Sequence, residues 1–419
     1  MATNNNDKTL NVPPLRFPEF TGEWENYKFQ DICNLLSGGT PALDNPSYWN
    51  GNIPFISAAT MHNSYIVDSE QYLSEEGLAH GSKLLQQGNL LLLVRGSMLW
   101  KHIPICYNKL DVAFNQDVKG IIPNKFSQPL FLLYWFESHE SRMKYMVTGT
   151  GIGAGKLDTG TLLSMNVSLP SQTEQERIIS LLQLLDERIA TQNKIIEDLK
   201  KLRAAIVDKL FCLPNKLVPQ MRLHGFTGNW IQVRLSDVCQ RIHTKNFNTQ
   251  CQLVLTIAAQ YGLVSQKDFF KKSIASDNLE GYYLIEKDDF AYNKSYSTDY
   301  PWGAVKRLEL YSQGVLSPLY ICFRPNTNII VPDYLSHYFE STKWHKGIAD
   351  IAGEGARNHG LLNLSVVDYF NTTHRIPSMP EQKVIADVLN KLTFKYDLEQ
   401  KLHENLLKQR RYLLQQMFI

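Results

Sequence analysis

The chain has 419 residues, 43% hydrophobic and 20% charged, a globular composition long enough for two or three cores. Its 43 Lys+Arg stand against 41 Asp+Glu, a net charge of +2, so a polyanion could be held only by local patches. The apolar run LLLLV (Leu90–Val94) is far too short to cross a bilayer, and six cysteines without a CxxC pair argue against a zinc or disulfide framework and fit a reducing cytoplasm.

In chain order, residues 1–14 (MATNNNDKTLNVPP) hold one lysine, no apolar stretch and no small-residue cleavage site. They read as a disordered lead and not as a signal peptide. At Leu15 begins the phrase LRFPEFTGEW, followed by ENYKFQDICN; at Met221 comes MRLHGFTGNW, followed by IQVRLSDVCQ, an offset of 206 (221 − 15). Repeats at this scale govern the whole layout. Each copy predicts a short strand and a capped helical turn, with Asp31 and Asp237 as caps and Cys33 and Cys239 as small buried hydrophobes. Phe20 and Phe226 are expected to pin the turn, and Gly22 and Gly228 to let the backbone bend.

A second repeat, offset by 207 (376 − 169), pairs LPSQTEQERIISLLQLLDERIATQNKIIEDLKKLRAAIVDKLF with IPSMPEQKVIADVLNKLTFKYDLEQKLHENLLKQRRYLLQQMF. Both open Pro-Ser with a glutamate (Glu174, Glu381) three residues after the serine, the pattern of a capping box. Positions then alternate by four and three. One series is Ile178, Leu182, Leu185, Ile189, Gln192, Ile196, Leu199, Arg203, Ile206 and Leu210; the other is Ile385, Leu389, Leu392, Tyr396, Glu399, His403, Leu406, Arg410, Leu413 and Met417. That is a coiled-coil seam, its matched arginines fixing register at some cost in stability; the simpler alternative is an amphipathic helix lying on its own domain. Helices of about 40 residues would be roughly 60 Å long. The layout predicted is a lead (1–14), a globular domain (15–168), a helix (169–213), a second domain (214–375) and a second helix (376–419). If the second helix packs on the first, it must run back along it. The fold class expected is α+β, with two pseudo-symmetric globular domains separated by two long helices in an antiparallel coiled coil.

The repeated phrase, the LPSQTEQE helix and the closing LLKQRRYLLQQMFI resemble the specificity (S) subunit of type I restriction–modification enzymes, over essentially Leu15 to Ile419. The resemblance implies that each domain is a target recognition domain reading one half of a split DNA site. It implies helices that act as ruler and as platform for two adenine-methyltransferase subunits, with a nuclease–translocase subunit joining. S-adenosylmethionine, ATP and magnesium would be used by those partner subunits, with no cofactor and no catalytic centre in this chain. A cytoplasmic location follows.

Two other classes compete: a repeated-domain scaffold for protein partners, and a methyltransferase carrying its own recognition domain. The second is disfavoured because the one Pro-Pro, Pro13–Pro14, sits in VPPL and not in an [NDS]PP[YFW] motif. GTGIGAGKL (Gly149–Leu157) misses a phosphate loop, having Thr150 where glycine is needed and Leu157 after Lys156 where Ser or Thr is needed, and reads as a flexible loop near the end of the first domain. HExxH, GxSxG and zinc-spaced Cys/His sets are absent.

Bases are read by Arg, Lys, Asn, Gln, Ser and Thr from loops and helix ends, and phosphates by Lys, Arg and hydroxyls. In the first domain the candidates are Thr40, Ser57, Thr60, His62 and Asn63 in the early loop, with Trp49, Pro54 and Phe55 as packing. Arg95, Ser97 and Lys101 follow the buried LLLLV strand, Asn115 and Gln116 lie in AFNQDVKG, and Lys156 in the glycine-rich stretch. In the second they are His243, Thr244 and Lys245; Gln260 and Tyr261; Asn293, Lys294, Ser295, Tyr296, Lys306 and Arg307; and Arg357 and Asn358. Tyr292, amid that aromatic cluster, is assigned to the core. Residues 1–168 hold 12 Lys+Arg against 15 Asp+Glu and residues 214–375 hold 17 against 14, so the first domain in particular needs a local patch.

Overall fold

The run Leu90–Leu93 is a strand buried on both faces, as its lack of alternation requires. The computed structural model that places it describes residues 10–150, 153–258, 261–270, 278–353 and 360–419. Contacts divide these into two compact units, one made of the described residues up to Gln192 with Leu402–Ile419, the other of Asn193–Lys401.

In the first unit Leu90–Leu93 lies at the centre of a five-stranded sheet ordered Cys33–Ser37, Val118–Pro123, Leu90–Leu93, Ile105–Asn108, Tyr65–Ile66. A four-stranded sheet runs Tyr72–Leu73, Trp49–Ile56, Val112–Phe114, Leu84–Leu85. Helix Pro129–Ser138 starts with proline at its first turn, and its run Phe131–Phe136 is wholly buried. Each such side chain contributes roughly 1.5–3 kcal/mol by leaving water. Ile178, Ile179 and Leu182 join this core, as do Leu414, Met417 and Phe418 from the end of the chain.

The second unit is built around an antiparallel sheet ordered Cys239–Arg241, Ile321–Pro325, Phe290–Asn293, Ala304–Arg307. Two further two-stranded ladders, Leu255–Ala258 with Gly262–Ser265 and Tyr283–Glu286 with Gln313–Leu316, complete its strands beyond the opening ladder described below. Helix Pro332–Glu340 buries Tyr334, Leu335, Tyr338 and Phe339, and Val207, Leu210 and Phe211 share their core with Ile385, Ala386 and Leu389.

The long helices are Gln172–Leu210 and Met379–Gln416. In the first unit Ile178 and Leu182 share a core with Leu414 and Met417, and Asp186 bonds Arg410; in the second, Arg203 bonds Thr393 and Leu210 shares a core with Ile385. One number rises as the other falls, so the pairing is antiparallel within each unit. Every seam position named above is buried or half-buried, whereas off-seam Leu184, Phe394, Leu398 and Tyr412 are exposed.

The repeated phrase has the same anatomy twice. Arg16 grips the Glu174 carboxylate through Nε and Nη2 (2.7 and 2.8 Å) and donates to the carbonyls of Thr21 and Gly22, while the Trp24 indole donates to Glu174 at 3.3 Å. Arg222 does the same to Glu381 (2.8 and 2.7 Å) and to the carbonyls of Thr227 and Gly228, and Trp230 donates to Glu381 at 3.3 Å. Gly22 and Gly228 hold φ of +83° and +81°, a bend that favours glycine. Each phrase is followed by a ladder, Glu25–Lys28 with Asn166–Leu169 and Ile231–Arg234 with Thr373–Ile376. Even the join to the helix repeats: the amide of Leu15 donates to the carbonyl of Gln416, and that of Met221 to Lys209, both at 2.9 Å.

Four expectations change. Only one arm of the first capping box forms, the Ser171 hydroxyl accepting the Glu174 amide at 3.3 Å, because the carboxylates of Glu174 and Glu381 are taken by arginine and tryptophan. Residues 1–9 lie outside the described residues, but the rest of the expected lead is ordered: Asn11 accepts the Trp24 amide on its carbonyl at 2.8 Å. The glycine-rich stretch is not a plain loop, since Val147–Gly149 and Gly155–Leu157 pair as antiparallel strands. Cys33 and Cys239 are buried, and burial pushes the Cys33 thiol up to about 12. Asp237 caps its turn by accepting the Arg234 amide at 2.7 Å, whereas Asp31 makes no such bond in the matching turn Phe29–Ile32.

Candidate nucleic-acid interface

The buried strand of the first unit ends at Val94, and the chain then emerges as Arg95–Gly96, the edge of a three-stranded sheet with Gly155–Leu157 and Val147–Gly149. Register sets Thr148 opposite Lys156 and Lys156 opposite Arg95. Residues directly opposite across a sheet share a face. All three are exposed while Gly155 and Leu157 are buried, so the outer face carries one row of two cations and a hydroxyl. Thr148 was missed by the sequence reading; its signal, a threonine at the start of the glycine-rich stretch, has meaning only once the hairpin is known.

Further candidates adjoin this row. The Asp117 carbonyl accepts the amides of Val94 and Arg95 (2.8 and 3.2 Å), and its carboxylate stands 3.9 Å from the Arg95 guanidinium. Asn115 accepts the Asp117 amide on its side chain and donates its own amide to Ile56, next to Ser57. The Thr40 hydroxyl donates to Gln116 at 2.8 Å. Ser97 and Lys101 flank the following turn, exposed. Thr40, Ser57, Arg95, Ser97, Lys101, Asn115, Gln116 and Lys156 are therefore linked through strand ends and adjacent turns.

Others are differently placed. The Thr60 hydroxyl closes its own turn with Ser57, accepting its amide and donating to its carbonyl. His62 and Asn63 line a separate cleft of about 450 Å³ with His102, Glu137, Glu140, Arg410 and Arg411. Within it Arg410 bonds both Glu137 and Asp186, and burial, with Asp186 adding, holds the Glu137 pKa above its usual value despite Arg410.

In the second unit the strand Phe290–Asn293 ends in the same way. Lys294 accepts the Leu362 amide on its carbonyl, Ser295 pairs with Leu361, and the Tyr296 amide donates to Gly360. Residues 360–362 thus meet the end of this unit's buried strand, as the glycine-rich hairpin does in the first. Asn293 folds back to accept the Ser295 amide at 3.0 Å, and Lys306 is half-buried on the adjacent strand Ala304–Arg307. His243 and Thr244 are exposed; the Lys245 ammonium donates to Gly281 at 2.7 Å and sits 3.6 Å from the centre of the Tyr283 ring. Tyr261 is 69% exposed at a hairpin. Gln260, Arg357 and Asn358 lie outside the described residues.

Arg307 requires a correction. Its guanidinium is held by Asp333, Glu309 and Asp288 and its side chain is only 13% exposed, so it is an internal ion-pair hub. An always-charged group buried this far needs carboxylate partners, and the sequence does not show that three converge there. Tyr292 is in the core, its hydroxyl donating to Trp302 and its ring stacked on Tyr369.

No group of three or more His, Cys, Asp or Glu among the described residues could hold a metal ion, and no described helix is long and apolar enough to cross a membrane.

With this geometry in view, residues 21–201 match the profile of the type I restriction modification DNA specificity domain. That stretch, less than half of the chain, carries the family's pattern. Over 189 residues the chain is 31% identical to the specificity subunit of the type I restriction enzyme EcoR124I/EcoR124II of Escherichia coli, a match covering 45% of this chain and 46% of that subunit. It is 26% identical over 193 residues to the type I restriction enzyme MjaIX specificity subunit of Methanocaldococcus jannaschii, covering 45% and 44%. The chain thus spans about half the length of the curated relatives it matches. Among solved structures it is similar to the type I restriction–modification S subunit from M. genitalium, with TM-score 0.58, 16% identity, and 97% of this chain and 99% of that one covered. A chain from a structure on complex assembly and conformational transition of the type I R-M system gives 0.56 at 15% identity, covering 93% and 96%. At such identities these likenesses concern the fold alone. The profile ends within the first long helix; the second half is related to the first through the chain's own internal repeat.

Proposed function

We propose that this chain is the sequence-specific DNA-binding subunit of a type I restriction–modification complex. Each recognition domain reads one half of a bipartite site, and the long helices set the gap and dock two methyltransferase subunits. The observation that carries the reading is the duplication itself: two domains, each tied to its helix by the same Arg–Glu–Trp arrangement, in a chain whose residues 21–201 match the specificity-domain profile. A restriction and translocation subunit would complete the assembly in the cytoplasm. S-adenosylmethionine, ATP and magnesium belong in this reading to the partner subunits.

Within the first domain the row Thr148, Lys156 and Arg95 is the reading surface we favour, with Asn115, Gln116 and Thr40 beside it. Arginine can grip a guanine edge with two hydrogen bonds, and lysine suits guanine or phosphate. In the second domain His243, Thr244, Lys294, Ser295 and Tyr261 take that role.

Exchange of residues 15–168 for the matching part of another specificity subunit tests the proposal. Mapping methylated adenines in cells carrying the hybrid should show one new half-site, with the other half and the gap retained. A change in both halves would mean a shared reading surface, and loss of adenine methylation with intact complexes would favour a scaffold.

A further inference from the structure

We infer that Trp100 is a further DNA-contacting residue, its exposed ring packing against the backbone sugars of a duplex lying on the Thr148–Lys156–Arg95 row. The inference rests on the DNA-reading proposal above.

Of the seven tryptophans, Trp24, Trp135, Trp230 and Trp344 are buried, Trp49 and Trp302 half-buried, and Trp100 is 51% exposed. Its mounting is rigid. The turn Ser97–Trp100 follows directly from Arg95–Gly96, and Leu99 inserts fully into the core beneath. Lys101 and His102 donate their amides to Met98 at 2.8 and 3.0 Å, and the Ile103 amide donates to the Glu140 carboxylate at 2.9 Å. The indole N–H is already occupied by the Gly153 carbonyl at 3.1 Å. What the side chain offers outward is therefore an apolar ring with no free donor.

The surroundings select a polyanion. Lys101 and His102 are exposed next in the chain, and Arg95 and Lys156 stand in register at the start of the turn. The Asp117 carboxylate stands 3.9 Å from the exposed Arg95, and Asp158 interacts with Lys156 through charge alone. A large ring held in one orientation among cations loses little conformational freedom on binding. Packing of such a ring on the sugars of a duplex is sequence-tolerant, because sugar contacts carry no base information. Trp100 should thus strengthen binding without choosing the sequence.

The test uses the full chain labelled with 5-fluorotryptophan, with unlabelled methyltransferase subunits added if binding requires them, and fluorine NMR. Trp100→Phe identifies the Trp100 resonance by its loss. Titration with a mixed-sequence duplex, and then with the methylation-mapped site, should shift that resonance. Trp100→Ala should weaken binding about tenfold. Trp100→Phe should retain most of the affinity, and the half-site sequence and salt dependence should stay as in the wild type, since no phosphate contact is lost. A Trp100 signal that stays still at saturating DNA, or an Ala variant that binds as tightly as the wild type, would overturn the inference while leaving the DNA-reading proposal intact. A wild-type complex that binds no DNA would bring down both.

Discussion

Arg16 and Glu174, 158 residues apart in the chain, form a two-pronged ion pair in which the carboxylate is 1% exposed and the guanidinium 16%. Arg222 and Glu381 repeat it with 19% and 2%. A carboxylate so deeply placed is tolerable only while arginine and the tryptophan indole satisfy it.

Arg16→Met should therefore destabilise the first unit by about 3–5 kcal/mol, the usual cost of leaving one member of a buried pair alone. Adding Glu174→Gln should recover much of the loss, because a neutral amide needs no counter-charge. Urea midpoints of the single and double variants check this; simply additive losses would mean that the pair is not coupled.

The two seam arginines have unlike partners. Arg410 meets two carboxylates, Glu137 and Asp186; Arg203 meets Glu340 and the Thr393 hydroxyl, with His337 also bonded to Glu340. Burial works to raise the Glu340 pKa, but His337 and Arg203 outweigh it and hold it at about 2, the reverse of Glu137. Arg410→Met should cost about 3–5 kcal/mol at neutral pH and Arg203→Met less. In Arg410→Met the folded state holds carboxyls with raised pKa, so the protonated form is the stable one and the deficit should shrink as pH falls toward 4. A deficit independent of pH would refute this account.

His374 is fully enclosed, its ring nitrogens bonded to the hydroxyls of Tyr338 and Thr372 at 2.8 and 2.9 Å, and burial lowers its pKa from 6.5 to about 4. The unfolded chain binds a proton there below pH 6.5 while the folded one does not, so stability is full above 6.5 and lost as pH falls to 4. The loss should be about 3 kcal/mol. Comparing wild type with His374→Gln by denaturant unfolding at pH 7 and pH 4 isolates the contribution; an unchanged difference would rule it out.

Arg95→Ala and Lys156→Ala should each weaken DNA binding, by about 1–3 kcal/mol where the side chain reads a guanine and less where it meets a phosphate. Loss of one phosphate contact lowers the salt slope by about one unit, which separates the cases. Lys294→Ala makes the same test in the second domain. Unaltered affinity and slope for all three would move the reading surface elsewhere.

By itself the sequence determined what repeats and periodicity can carry: one phrase with the same anatomy twice, two long helices, and the antiparallel return that places the Leu15 amide on the Gln416 carbonyl. Those features are local patterns copied at fixed offsets, so single residues such as Gly22 and Gly228 could be read directly. Tertiary structure decided where long-range partners fall. Glu174 looked like a cap until Arg16 arrived from the other end of the domain, and Arg307 looked like a free cation until Asp288, Glu309 and Asp333 closed on it. The row Thr148, Lys156 and Arg95 exists only because a hairpin forms and docks on a strand end more than fifty residues earlier. Side-chain charge is written in the sequence; whether that charge meets a carboxylate or water depends on contacts that no local pattern encodes.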